Sequence, residues 1–305
     1  MNKTIQTIVL AALCLFLSSA ARAQTAALKI GDKVPDITIN NVINYKSSSA
    51  KLSDFKGKLL ILDFWATWCG ACIKNFPRLD SLQNKYTGQM QVLLVNDSNS
   101  GDSEEKIRAL FAKRKSIEGR AYQLPYFIGD TLLGQLFPHR LIPHCVWIGP
   151  DGRVKAITSS EELTGENILQ MVSKQSLNLT QKKDFDTKKP LFFSDSIPDG
   201  LLQYSVFLKG RIEGLGSGNI YRRKDELLYG RAMTNTPLLS MYENMAIALL
   251  KKYNRKLMLI EVANPSKIST SPENTRNRAW MKENVYTMEV ILPLDQSASL
   301  YPIML

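Results

Sequence analysis

Short apolar runs alternate with polar or amphipathic stretches over the first part of the chain. The runs Lys58–Trp65 and Met90–Asp97 carry few charges, which is typical of buried strands. A helix is predicted after each run. The first extends from Cys72 to about Tyr86, and the second occupies residues 98–115, where serine and aspartate can cap a helix with an acidic first turn and a basic last turn.

A predicted hairpin and a closing helix complete this region. The stretch "HCVWIGPDGRVKAI" predicts two strands joined by a turn at Gly149–Gly152, and "TGENILQMVSKQ" predicts a helix that begins near Thr164. The order β-α-β-α-β-β-α predicts an α/β fold with a central mixed sheet flanked by helices.

The second part of the chain has a different pattern. Residues 175–200 are polar and rich in lysine, and they include Pro190 and Pro198, which predicts a linker between domain 24–174 and domain 201–305. Beyond the linker, four stretches predict strands: "LLQYSVFLKGRIE", "GNIYRRKDELLYGRAM", "KLMLIEVAN" and "VYTMEVILPL". A helix is predicted between the second and third of these, so this region is expected to be a smaller α+β domain.

That helix has clear boundaries in the sequence. Thr236 can cap the helix, Pro237 suits the first turn, and Lys251 and Lys252 suit the last turn. Its predicted core face is formed by apolar residues at helical spacing: Leu238, Met241, Tyr242, Met245, Ala248 and Leu249. The final stretch, "SLYPIML", is apolar, so we expect either a segment buried on the sheet or a longer parent chain.

The N-terminus predicts export. Lys3 precedes the apolar run Thr7–Leu17, and "ARA" follows, which together are typical of a signal peptide over residues 1–23 with cleavage after Ala23. An uncleaved anchor is the alternative, but the run is shorter than the ~20 apolar residues that span a bilayer. The expected location is the periplasm or the cell envelope.

The net charge of +11 is spread over short basic clusters that acidic or apolar residues interrupt. This distribution favours a solvated surface, with attraction to acidic partners or anionic membranes as the alternative. No nucleic-acid partner is expected, because no binding motif accompanies the charge.

Three cysteines remain after the signal peptide: Cys69, Cys72 and Cys145. Three are too few for a disulfide scaffold, and outside the cytosol a close pair is expected to be redox-active or oxidised. Zinc would need about four ligands, yet the chain has two histidines, and His144 adjoins Cys145 on a predicted strand where neighbours point to opposite faces. We therefore expect no metal and no cofactor.

The position of the pair favours electron exchange. Cys69 is placed just before a helix, where backbone N–H groups and the helix dipole stabilise a thiolate, and Cys72 lies one turn inside. The preceding strand delivers both to the carboxyl edge of the sheet. A structural disulfide stays an alternative, although closing so short a loop contributes little stability.

The segment "GDKVPDITINN…KLSDFKGKLLILDFWATWCGACIKNFPRL" resembles the TlpA-like, or ResA-like, branch of the thioredoxin superfamily, which comprises exported bacterial thiol–disulfide oxidoreductases. The resemblance covers roughly Lys29 to Ser173, and it implies a thioredoxin fold. It also implies that Cys69 attacks, that Cys72 resolves, and that Asp63 moves the proton of Cys72.

The resemblance assigns further residues around the pair. Pro143 corresponds to the cis-proline that faces the cysteines, and the implied substrate-contacting residues are Trp68, Gly70, Ala71 and Ile142. Two positions depart from the family pattern. Ala71 stands where proline is usual, with no histidine between the cysteines, which favours a reductase. Cys145 follows the cis-proline loop, where a small buried hydrophobe is favoured over a third redox thiol.

The expected function is therefore reduction of disulfides in other extracytoplasmic proteins. The expected partners are proteins that carry disulfides or thiols, together with a membrane or periplasmic electron donor. The sequence does not indicate an oligomeric state. The alternatives are a thiol peroxidase, disfavoured because Thr67 stands only two residues before Cys69, and a non-catalytic binding module of the cell envelope.

Overall fold

The structure is a computed structural model that describes residues 26–173, 178–192, 203–250, 252–268, 271, 273–274 and 277–304. The predicted signal peptide lies outside these residues, as does part of the predicted linker. Two compact units are present, one up to Gln181 and one from Lys182 onward. Within the described ranges, no helix is both long enough and apolar enough to cross a membrane.

The first unit is built from short strands and helices that alternate along the chain. In chain order they are β1 (Thr38–Asn40), β2 (Ser49–Lys51), β3 (Leu59–Trp65), α1 (Gly70–Lys85), β4 (Met90–Asp97), α2 (Glu104–Glu118), β5 (Tyr126–Asp130), α3 (Leu132–Leu136), β6 (His144–Ile148), β7 (Val154–Thr158) and α4 (Gly165–Val172).

The main sheet has the strand order β5-β4-β3-β6-β7, and β1 pairs with β2 separately. Strands β3, β4 and β5 are parallel, whereas β6 and β7 are antiparallel to their neighbours. Every residue of β3 is buried, because α1, α2 and α4 cover one face of the sheet and α3 with the N-terminal segment covers the other. The predicted mixed sheet with flanking helices is confirmed.

The local predictions in this unit match the structure closely, but four short elements are missing from them. Strand β4 has the predicted limits, and Thr164 caps α4 by accepting a hydrogen bond from the Asn167 N–H. Strands β1, β2 and β5 and the short helix α3 were not predicted. Gly129 and Asp130 interrupt the apolar pattern of "YFIGD", so the stretch resembles a loop until its pairing with β4 is known.

The second unit is an antiparallel sheet with a helix against it. Its elements are β8 (Tyr204–Lys209), β9 (Gly218–Lys224), β10 (Leu227–Pro237), α5 (Leu238–Leu249), α6 (Arg278–Glu283), β11 (Val285–Ile291) and α7 (Leu300–Met304), with the strand order β8-β11-β10-β9. One face holds a methionine-rich core to which α5 contributes Met241 and Met245 and α7 contributes Leu300 and Met304. The predicted α+β class is confirmed.

The other face of this sheet contains a buried ion pair. Arg222 donates to Glu289 Oε1 from Nε (2.8 Å) and from Nη2 (2.6 Å). The two residues lie on separate strands, with Gly230 of β10 paired to Arg222 in between. A Cβ at Gly230 would lie 2.5 Å from Ile291 Cδ1 and 3.4 Å from Arg222 Cβ, so the absence of a side chain there leaves room for Ile291 beside the pair.

Residues 182–192 of the predicted linker bond to this face. The N–H of Leu191 donates to Glu289 (2.8 Å), Arg222 Nη1 donates to the Thr187 carbonyl (3.0 Å), and the N–H of Phe185 donates to the Gly214 carbonyl (3.1 Å). This part of the chain is thus an ordered edge of the second unit. The predicted domain limits stay predictions, but the structure divides the chain at residue 181.

Three predictions in the second unit are wrong. Thr236 does not cap α5, because it lies in β10 and the N-cap position is occupied by Pro237, which provides no side-chain cap. The stretch "KLMLIEVAN" forms no strand in its described residues; a 3₁₀ turn at Arg255–Leu257 begins it, and Leu257 and Leu259 are about 80% exposed (82% and 79%). The predicted face of α5 is also only partly buried, since Tyr242, Ala248 and Leu249 are exposed. Hydrophobic periodicity identifies apolar positions, but it cannot show whether a partner element is there to cover them.

The buried ion pair predicts a large stability effect. Arg222→Met would leave the Glu289 carboxylate buried without its charged partner, so we expect the free energy of unfolding of the second unit to fall by about 3 kcal/mol. Denaturant titration followed by a probe within this unit measures the change.

Arg211→Met is the matched control for that substitution. Arg211 forms a longer pair with Glu213 (3.7 Å), and the two side chains are 30% and 57% exposed. Solvent screens such a pair, so a loss below about 1 kcal/mol is expected. Equal losses in the two variants would show that the buried pair stabilises this unit no more than the exposed pair does.

Candidate active site

The cysteine pair lies where β3 passes into α1. Cys69 is the N-cap residue of the helix, and its Sγ accepts a hydrogen bond from the N–H of Cys72 (3.2 Å). A disulfide joins the two residues, whose Cα atoms are 5.3 Å apart. Cys69 is 6% exposed and Cys72 is fully buried, so within the pair only Cys69 has contact with solvent.

The surface around Cys69 is formed by the residues predicted to contact substrate. Trp68 is 66% exposed, and Gly70 and Ala71 are exposed at the start of α1. The indole Nε1 of Trp68 donates to the Ser100 carbonyl (2.8 Å), which fixes the orientation of the ring. The exposed rim of the pair is therefore partly apolar.

The loop before Cys69 is anchored by a polar network that the sequence did not reveal. Asp102 accepts from the Thr67 N–H (2.7 Å), from the Thr67 hydroxyl and from Asn96 Nδ2 (2.9 Å). Asn96 also donates to the Trp65 carbonyl (3.2 Å). Asn96 and Asp102 lie in the stretch "NDSNSGD", whose polar side chains predicted only a helix cap. Their position at the carboxyl end of β4 was the available clue.

Asp63 is fully buried in the middle of β3. It shares the face of Ile61 and Trp65, because alternate residues of a strand point the same way, and those residues pack in the same cluster as Cys72. Desolvation raises the pKa of Asp63 from 3.8 to about 7, opposed by a hydrogen bond from Cys145 and by the charge of Arg78. The carboxyl can therefore exchange a proton near neutral pH.

The loop before β6 carries the predicted proline. The Ile142–Pro143 peptide bond is cis. Ile142 and Trp68 line the same cavity of about 440 Å³ in the first unit, together with polar residues that include Asp97, His139 and Arg140. The cavity thus brings together two residues that were predicted separately as substrate contacts.

Cys145 and His144 point to opposite faces of the sheet, as predicted. Cys145 belongs to the cluster that contains Cys72, whereas His144 lies against Phe64 (5.4 Å between ring centres) and stacks on His139 (4.5 Å). Strand alternation therefore separates this histidine from the thiol beside it.

Comparison with known proteins places the site in a family context. Residues 30–130 match the model of the AhpC/TSA family. Thioredoxin-like protein YneN from Bacillus subtilis is 38% identical over 79 residues, which cover 26% of this chain and 45% of YneN. Thiol-disulfide oxidoreductase ResA from Geobacillus kaustophilus is 30% identical over 112 residues, which cover 36% of this chain and 63% of ResA.

A solved structure is similar over the same region. The thioredoxin domain of a thiol-disulfide oxidoreductase from Bacteroides vulgatus is 25% identical and covers 48% of this chain and 98% of its own, with a TM-score of 0.37. The chain spans about half the length of YneN and less than two thirds of that ResA. The ResA of Geobacillus thermodenitrificans is matched over 91% of its length at 28% identity. Through its first unit, this chain is similar to the TlpA/ResA-like branch of the thioredoxin superfamily.

Proposed function

We propose that this chain is an exported thiol–disulfide oxidoreductase that reduces disulfides in other extracytoplasmic proteins. The observation that carries the proposal is the unequal exposure of one cysteine pair at the start of a helix. Cys69 reaches the surface, and Cys72 does not. In a pair of this kind, one cysteine can react with a disulfide of a protein substrate, and the other can react only with the first cysteine.

The reduced pair would act in two steps. The Cys69 thiolate attacks a substrate disulfide, a mixed disulfide forms, and one substrate sulfur leaves as a thiolate. Cys72 then loses its proton and attacks Cys69 Sγ, which closes the intramolecular disulfide and releases the second substrate sulfur. Two electrons pass from the pair to the substrate. The hydrogen bond from the Cys72 N–H and the helix N-terminus stabilise the Cys69 thiolate.

Asp63 would take the proton of Cys72 in the second step. The carboxyl is buried on the face where Cys72 lies, and its raised pKa lets it accept a proton and return it near pH 7. Pro143, Ile142 and Trp68 would hold an extended substrate segment beside Cys69, with Gly70 and Ala71 forming the rest of the rim.

The pair must be reduced again after each cycle, which calls for a membrane or periplasmic electron donor. The reducing direction is supported by the absence of histidine between the cysteines. Equilibration with glutathione tests this direction, and a reduction potential above about −150 mV would contradict it.

A thiol peroxidase is less well supported. The Thr67 hydroxyl donates to Asp102, so it is already engaged away from the sulfur. A purely non-catalytic binding module is also less well supported, because such a module does not require a buried carboxyl near a cysteine pair.

The cysteine assignments predict distinct phenotypes. Wild type should accelerate insulin precipitation by dithiothreitol, and Cys69→Ser should reduce the rate to background because the attacking sulfur is gone. Cys72→Ser should accumulate a mixed disulfide with insulin chains, visible on non-reducing gels. Wild type and Cys69→Ser behaving alike would refute the redox function, and Cys69-dependent consumption of peroxide without insulin reduction would favour the peroxidase.

Asp63→Asn tests the proton transfer. The variant should release the mixed disulfide roughly tenfold or more slowly, because Cys72 loses its base, while alkylation of Cys69 stays nearly unchanged. Stopped-flow measurement of the two steps separates them. Asp80→Asn is the control, since Asp80 is equally buried on α1 but pairs with Arg120. An unchanged release rate in Asp63→Asn would remove Asp63 from the mechanism.

The buried carboxyl also predicts a pH-dependent stability. The pKa of Asp63 is higher in the folded state, so the unfolded chain ionises first and the folded state loses stability as the pH rises from about 4 to about 7. Asp63→Asn should therefore raise the free energy of unfolding of the oxidised protein by about 4 kcal/mol at pH 8.

The same variant at low pH is the internal control. At pH 4 the aspartate is largely neutral in the folded state and only half ionised in the unfolded state, so the gain should fall below about 1 kcal/mol. Denaturant titrations at the two pH values measure the difference. A gain that does not depend on pH would show that the pKa of Asp63 is not raised in the folded protein.

A further inference from the structure

The Cys145 thiol lies directly across the sheet from Asp63. Strands β3 and β6 pair in a register that sets Asp63 opposite Cys145, and Cys145 Sγ donates to Asp63 Oδ1 (3.3 Å). Both side chains are fully buried. The contact therefore forms in the core, where an S–H group is shielded from competing water.

The two oxygens of the Asp63 carboxyl differ in their environment. Oδ1 accepts from Cys145, whereas Oδ2 is buried and accepts no hydrogen bond from the part of the chain that the structure describes. A buried, unsatisfied carboxylate oxygen is unfavourable unless a proton arrives there. Oδ2 is thus the oxygen of this carboxyl that is left without a partner among the described residues, and the side chain lies on the face of the sheet where Cys72 is buried.

Few other charged or titratable groups act on this carboxyl among the described residues. Helix α1 contributes Cys72 and, further along, Arg78, whose Nε donates to Asn75 (2.8 Å) and whose Nη2 donates to the Ser160 carbonyl (2.5 Å). Strand β6 contributes Cys145. The guanidinium of Arg78 acts on Asp63 by charge alone, whereas Cys145 acts by direct contact.

We propose that Cys145 is a positioning residue for the resolving step, whose thiol holds Asp63 Oδ1 and leaves Oδ2 to receive the proton of Cys72. This proposal rests on the proposed function, in which Asp63 is the base. When Cys72 attacks Cys69 Sγ, its S–H proton passes to Oδ2, its sulfur electrons form the new S–S bond, and the substrate thiolate leaves. Cys145 keeps its own proton and is neither oxidised nor reduced.

The hydrogen bond also favours the ionised form of Asp63, because a donor stabilises negative charge more than it stabilises the neutral acid. Removing the donor should therefore raise the pH at which Asp63 ionises. A side chain that only fills space would have no such effect.

The direct test is the titration of Asp63 in the oxidised full chain. The carboxyl carbon is followed by NMR with ¹³C-labelled aspartate and is assigned by its loss in Asp63→Asn. Cys145→Ala should raise the titration midpoint by about one pH unit, the effect of a hydrogen bond to a charged group. Cys145→Ser, which is nearly isosteric and keeps a donor, should give a midpoint equal to or below that of wild type.

Two outcomes would overturn the proposal. They are midpoints that agree within about 0.2 pH units in all three proteins, and a Cys145→Ser midpoint above wild type, whether or not Cys145→Ala rises by the same amount. Because Cys145→Ser keeps the size and polarity of the site, it tests the hydrogen bond even if Cys145→Ala proves too unstable to titrate.

The kinetic test uses the pH profile of mixed-disulfide release. In Cys145→Ala the rise in rate should move to higher pH, with release at pH 7 slowed about fivefold, while Cys145→Ser should follow wild type. In an Asp63→Asn background, Cys145→Ala should cause no further change in the profile. A further slowing there would show that Cys145 acts independently of Asp63.

The titration tests the role of Cys145, and the insulin assay tests the proposed function, so the two can be contradicted independently. If wild type reduces insulin but the midpoints coincide, only the role of Cys145 is wrong. If Cys69→Ser is as active as wild type, the proposed function is wrong, whatever the titration shows.

Discussion

The burial of β3 on both faces is the constraint on which the site depends. Helices cover both sides of this strand, so its direction and end point are fixed by the packing of the whole first unit. The chain leaves the strand at Trp65, and four residues later Cys69 caps α1. The same burial sets the chemistry, because an aspartate in this strand has no access to water and ionises near pH 7.

The parts of the site that could be predicted are those encoded within a few residues. The spacing of Cys69 and Cys72, the apolar run before them and the cap of the following helix are all local patterns. The Asp102 network and the Cys145–Asp63 contact join residues 35 and 82 positions apart, and they exist only because of strand order and register. A sequence pattern predicts a strand without giving its partner.

The second unit shows the same limit in a different form. Residues 256–264 have the composition of a strand, yet β8 and β9 form the edges of the sheet and no further strand pairs there in the described residues. Conversely, residues 182–192 have the composition of a linker but supply hydrogen bonds to a buried ion pair. In both cases, whether a segment pairs with the sheet depends on which backbone N–H and C=O groups of the sheet are still free to form hydrogen bonds. The composition of the segment does not contain that information.

The fixed orientation of Trp68 has a consequence for recognition. Most exposed side chains sample several rotamers and lose that freedom when a partner docks. The indole of Trp68 is already held by its bond to the Ser100 carbonyl, so a large apolar ring is presented beside Cys69 without further ordering. A protein chain that packs against this ring gains contact area at a reduced entropic cost. An apolar ring face can contact many different side chains, so the surface can accept substrates of many sequences.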